Sequence, residues 1–206
     1  MFFSGISSKI KPFLLRCLFL GAQHREIKMN PQLRSYSCSL TLDPNTANRH
    51  LSLSDGNRKV EYAGEERMYP DHPDRFDDWP QVLSVESLTG RCYWEVECSG
   101  RAEIAVTYRG IRRRGYSDCL FGLNNHSWRL YCSYDGYSVC HNSKITAIPS
   151  PPSNSSRVGV YLDWGFGTVS FYSISPNTGA LTHLHTFTNT FTEPQCIGIV
   201  PFNTVM

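Results

Sequence analysis

An all-β fold, a bent two-sheet antiparallel β-sandwich, is what this 206-residue sequence predicts. Three observations carry that expectation. Segments alternating apolar and polar residues recur about every ten residues, with Gly, Pro and Asn clusters between them. One of them, residues 91–98, places Cys92, Trp94, Val96 and Cys98 on one face and Tyr93, Glu95 and Glu97 on the other. Hydrophobic content of 40% with 13% aromatics is ample for a core. A sandwich of this length is commonly a single unit.

The chain opens differently. Ile10, Phe13, Leu14, Cys17 and Leu18 follow helical spacing after the start-like Pro12, so a short amphipathic helix or a disordered extension is expected over residues 1–36. The apolar run Phe13–Leu20 is broken by Arg16 and falls far short of a membrane span. Lys9 and Lys11 before it give a weak signal-peptide pattern without a clean cleavage site.

From Ser37 the period changes to two. Leu40 and Leu42 run into the turn Asp43-Pro44-Asn45-Thr46. Leu51 and Leu53 alternate with serines, Asp55-Gly56 signals a hairpin, and Arg58–Tyr62 returns. Residues 63–80 read as a polar, solvated loop, in which Asp71 and His72 lack metal-ligand spacing. Strands follow at 82–85, 91–98 and 103–108, and then Arg109, Arg112, Arg113 and Arg114 fall within six positions, with Gly110 and Gly115 among and after them. Such a cluster suits either a solvated tip or an acidic partner held by bidentate guanidinium contacts. A hairpin of Ser127–Tyr134 and Tyr137–His141 is the most aromatic stretch, with Trp128, Leu130 and Cys132 on one face and Arg129, Tyr131 and Ser133 on the other. Residues 146–156 read as a Pro/Ser loop, and strands recur at 157–162, 168–174, 181–187 and 196–200.

Charge and cysteines bound the function. A formal net charge of +2 gives no reason to expect a nucleic-acid or membrane partner. The eight Cys show no zinc spacing and read as reduced core thiols. If Asp135-Gly136 forms a two-residue turn, Cys132 faces Val139; a three-residue loop ending at Tyr137 would set it opposite Cys140. No nucleophile elbow, zinc-protease helix, phosphate loop or dinucleotide fingerprint occurs, so neither enzyme nor cofactor is expected. His183 and His185 would share one strand face, a weak metal signal. Asn125-His-Ser127 and Asn154-Ser-Ser156 are glycosylation sequons with meaning only in a secreted chain.

Several ordered blocks resemble the PRY-SPRY family. Leu42-Asp-Pro-Asn-Thr-Ala-Asn48, Leu51–Ser54 and Arg58-Lys-Val60 are similar to PRY. Leu88-Thr-Gly-Arg-Cys-Tyr-Trp-Glu-Val-Glu97, Ser127–Cys132 with His141-Asn142, Arg157–Asp163 through Gly167–Tyr172, and Thr190–Pro194 are similar to the SPRY blocks. The variant looks most like fish domains from NLR-type receptors, tripartite-motif proteins and stonefish-toxin-like proteins. The resemblance implies a concanavalin-like SPRY sandwich with a PRY part at 37–86 and a SPRY part at 87–206. It also implies a cytoplasmic, non-catalytic module that binds a protein partner through loops at one end; the two sequons and the N-terminal apolar run give the alternative, a secreted toxin-like or lectin-like protein. Carried onto this sequence, the binding residues would be Tyr131, Ser133, Tyr134, Asp135 and Tyr137 of the hairpin, Arg112, Arg113 and Arg114, and Phe202. Residues 195–206 depart from the family's closing strands, so the last strand is expected to be atypical, missing or replaced.

Overall fold

Thirteen strands form two antiparallel sheets among the residues that the computed structural model describes, which are 7–10 (backbone only), 33–98, 100–149 and 155–202. In chain order they are β1 (Ser7–Ile10), β2 (Leu51–Ser54), β3 (Lys59–Tyr62), β4 (Val82–Leu83), β5 (Arg91–Cys98), β6 (Ala102–Tyr108) and β7 (Ser127–Ser133). The rest are β8 (Gly136–His141), β9 (Lys144–Ile148), β10 (Arg157–Asp163), β11 (Thr168–Ile174), β12 (Leu181–Thr188) and β13 (Gln195–Pro201). The first sheet runs β12-β11-β10-β5-β1-β3-β2 and the second β4-β13-β6-β7-β8-β9. The only helical pieces described are a 3-10 turn, Leu33–Tyr36, and the four-residue α1, Tyr116–Cys119.

Alternation builds the core. Trp94 and Val96 of β5, Val158, Val160 and Leu162 of β10, and Val169 and Phe171 of β11 face Ile104 and Val106 of β6, Trp128 and Leu130 of β7, and Ile197 and Ile199 of β13 in one buried cluster. Removing that apolar surface from water at about 25 cal/mol per Å² is what holds the sheets together. Trp128 stacks on His141 at 4.9 Å between centroids and meets Phe191 and Tyr108 edge-on.

The other face of β5 is not solvated as the alternation alone suggests. Tyr93 and Glu95 are buried there because the 3-10 turn packs on β5 and brings Arg34, while Arg157 of β10 reaches the same carboxylate. Tyr93 donates to Glu95 Oε1 at 2.9 Å. Gly159 leaves room for the Tyr93 ring, since a Cβ there would lie 2.6 Å from its hydroxyl.

Six expectations need correction. Cys38 and Cys92 are joined by a disulfide, with Cα atoms 5.7 Å apart, so not all cysteines are reduced. The link spans a sequence separation of 54, and the chain-entropy account makes such a closure worth about 4 kcal/mol. The hairpin turn is Tyr134-Asp135, because Ser133 pairs Gly136 and Cys132 pairs Tyr137; Cys140 therefore lies opposite Arg129 and makes no bridge with Cys132. Residues 144–148 form the edge strand β9 rather than part of a loop. In β12 a register shift sets Tyr172 opposite His183 and Phe171 opposite His185, so Leu184 is the bulged residue and the two imidazoles point to opposite faces. The loop at 63–80 is exposed over 64–68, but Arg75 and Phe76 are fully interior. Residues 195–201 make a complete buried strand between β4 and β6, held by seven paired positions to β6.

The segment at the start of the chain also contributes. Backbone of Ser7–Ile10 lies between β3 and β5, antiparallel to both, in a gap one strand wide. The helical spacing expected beyond Ile10 falls outside the described residues.

Candidate interaction surface

Strand parity sets which side chains leave the sandwich on the outer face of the six-stranded sheet. On β6 and β7 these are Glu103, Ala105 and Thr107, and Ser127, Arg129, Tyr131 and Ser133. Part of this face is covered by a second apolar cluster of Phe76, Leu83, Ala105, Ile111, Cys119, Phe121 and Val200, with Trp79 and Phe202 packed against it. Gly198 is what lets Phe121 lie flat on β13, since a Cβ there would sit 2.4 Å from the ring. The cluster is a staple. It fastens the segments 72–79 and 109–121 onto the outer face of the sheet.

The arginine loop is built from internal contacts. Arg109 pairs with Asp43 at 3.1 Å and donates to Ser84 O. Arg112 pairs with Asp118 at 2.7 Å, and Arg114 pairs with Asp77. Arg113 lies over the Phe76 ring at 4.8 Å and donates to the carbonyls of Asp74, Ile111 and Arg109. Burial, more than any neighbouring charge, lowers its pKa, as it does for Arg75. Arg113 is thus the clip that folds the loop, whereas Arg112 and Arg114 carry side chains 74% and 82% exposed. The thiol of Cys119, the last residue of α1, is pushed up to about 11 by burial and then by Asp78.

A cleft of about 680 Å³ opens between residues 72–75 and 109–114. Arg75 forms its floor, 4% exposed, donating to the carbonyls of Pro44, Ala47 and Pro70 and lying under the Tyr69 ring.

The hairpin residues divide. Tyr131 stands on the outer face, half-buried, with its ring edge-on to Phe202 at 6.0 Å. Tyr134 projects from the tip, 68% exposed. Ser133 accepts from Asp135 N at 3.2 Å and donates to Gly136 O at 3.1 Å, so it shapes the turn. Asp135 is exposed at that turn. Tyr137 points the opposite way, into the sandwich, where its hydroxyl donates to Ser155 O and burial raises its pKa. Tyr131, Phe202 and the arginine loop are therefore brought to one face, and Tyr137 is not.

Two residues beside Tyr131 escaped sequence reasoning. Glu103 and Arg129 form a buried ion pair at 2.7 Å, with Glu103 Oε2 and Arg129 Nε left without a partner. Burial raises the Glu103 carboxyl and Arg129 opposes that shift. The parity shared by Arg129 and Tyr131 placed one partner on this face; the other needed the β6–β7 register.

Among the described residues no group of three or more His, Cys, Asp or Glu is placed to hold a metal, and no helix is long and apolar enough to cross a membrane.

The chain is similar to known proteins over most of its length. Residues 40–88 match the model of PRY, the SPRY-associated domain. Stonustoxin subunit beta of Synanceia horrida is 43% identical over 169 residues, which is 81% of this chain and 24% of the toxin subunit. Tripartite motif-containing protein 16 of Mus musculus is 37% identical over 181 residues, 84% of this chain and 32% of that protein. Among solved structures, the TRIM65 PSpry domain superposes with a TM-score of 0.75 at 28% identity, covering 88% of this chain and 95% of that one. The chain spans about a quarter of the length of the toxin subunits it matches.

Proposed function

The chain belongs to the PRY-SPRY family, and from that premise we propose that it is a non-catalytic protein-interaction module with a role in innate immunity or regulation. The observation that carries the reading is the outer face of the six-stranded sheet, where Tyr131 meets Phe202, Phe202 packs against the cluster that holds Ile111 of the braced arginine loop, and Tyr134 projects from the hairpin tip. Tyrosine offers an apolar ring, a polar tip and few rotors, the profile of an interface anchor. Arg112 and Arg114 add charge complementarity, which speeds encounter and selects partners more than it tightens the complex.

Affinity capture from host cells, wild type beside Tyr131→Ala, tests this reading. Loss of a specific partner with an unchanged melting transition is the expected outcome. Equal loss of partner and stability would return Tyr131 to the scaffold.

The Cys38–Cys92 disulfide favours a second reading, a secreted toxin-like or lectin-like protein, because such bonds persist in oxidising compartments. It accords with the stonustoxin likeness, whereas the tripartite-motif likeness accords with the cytoplasm. Mass spectrometry of thiol-blocked protein from its native source decides between them: an intact bond supports secretion, and two free thiols support the cytoplasm.

A further inference from the structure

We propose that the cleft between residues 72–75 and 109–114 docks the carboxylates of an extended acidic segment of a protein partner. The inference rests on the interaction-module reading but concerns a different place from Tyr131. Five arginines line the cleft and Asp74 is the only acid among its lining residues. Three of the five are backed by carboxylates from outside the lining: Asp43, Asp118 and Asp77 hold Arg109, Arg112 and Arg114. Those pairings orient the groups without exhausting them, since a guanidinium has five N–H donors and Arg112 and Arg114 each give one to an acid.

Arg75 and Arg113 are different. Their hydrogen bonds go to backbone carbonyls, and no carboxylate lies within ion-pair distance of either among the described residues. Arg75 also keeps a buried Nε without a partner. Asp71 and Asp43 act on Arg75, and Asp74 and Asp43 on Arg113, without touching either guanidinium, so an incoming carboxylate that pairs directly offsets a desolvation cost they leave open. Planar guanidiniums match carboxylates two bonds at a time, which favours Asp and Glu side chains over a neutral amide. A cleft of this volume accommodates several side chains rather than a lone ion.

Fluorescence anisotropy with the full chain and a labelled hexaglutamate peptide tests the proposal, with hexalysine and an uncharged Gly-Ser peptide beside it. Hexaglutamate alone should bind, and raising NaCl from about 50 to about 200 mM should weaken it. Arg112→Gln with Arg114→Gln should cost about tenfold in affinity. Asp74→Asn should tighten binding, a gain that misfolding cannot mimic, and Phe166→Ala, at the exposed turn between β10 and β11, should leave it unchanged. Equal binding of the Gly-Ser peptide, indifference to the arginine and Asp74 variants, or displacement by equimolar inorganic pyrophosphate would overturn the carboxylate site. Loss in Tyr131→Ala alone would move the acidic segment to the hairpin and overturn it too. Absent peptide binding with partner capture still sensitive to Tyr131 discards the cleft and leaves the proposed function standing.

Discussion

Tyr131 and Tyr137 are six residues apart on facing strands, and their roles are opposite. Tyr131 pairs with Ser138 and looks outward, whereas Tyr137 pairs with Cys132 and fills the sandwich. What separates them is the turn, since moving the loop by one residue exchanges the faces of the whole return strand. His185 shows the same sensitivity and yields a pH prediction. Burial first, and then His183, lowers its pKa below the ordinary imidazole value of about 6.5. The unfolded chain thus takes up its proton more readily than the folded one. The stability this group contributes is full above about pH 6.5 and is lost as pH falls through the lowered value. Melting temperatures measured from pH 7.5 down to pH 5 should fall more steeply for wild type than for His185→Gln. Parallel curves would show that His185 titrates alike in both states.

Elements differ in how plainly the sequence announces them. β2, β3, β5, β7, β8, β10 and β11 lie where alternation and turn residues put them, because each buries a regular face against the opposite sheet. β9 was hidden, since an edge strand exposed along Lys144–Ala147 has no buried face to imprint a pattern and Pro149 follows at once. The bulge at Leu184 was equally silent: Leu184 and Phe187 both reach the core, a spacing of three that plain alternation cannot supply. β1 was masked by a helical spacing that begins at its last residue. Its importance lies in the gap it fills, because β3 and β5 would otherwise present unpaired N–H and C=O groups. Deleting residues 1–12 should lower the melting temperature and promote aggregation, and a peptide of residues 1–12 added in trans should restore both. An unaltered melting curve after deletion would show that the gap closes by other means.

At the scale of the whole molecule, scaffold and candidate site were legible to different degrees. Trp94 and Trp128 were readable as core because their strands repeat small apolar residues at every second position. The basic loop was visible as composition, but its bracing was not. Asp43, Asp77 and Asp118 come from three separate segments, and Arg113 is satisfied by backbone, which no spacing encodes. The disulfide partners Cys38 and Cys92 lie 54 positions apart and meet because residue 38 is laid along β5, donating its backbone N–H to Tyr93 O. The pair Glu103–Arg129 likewise depends on a register between β6 and β7 fixed by the core rather than by either residue.

The proposed division of labour is a two-sheet scaffold that holds its outer, stapled face for a partner. Hydrogen–deuterium exchange of the chain alone and with its captured partner tests this most directly. Protection on binding should concentrate in the backbone of residues 131–137 and 109–114. Protection confined to β12 and to the Asp163–Gly167 turn at the far edge of the other sheet would contradict it.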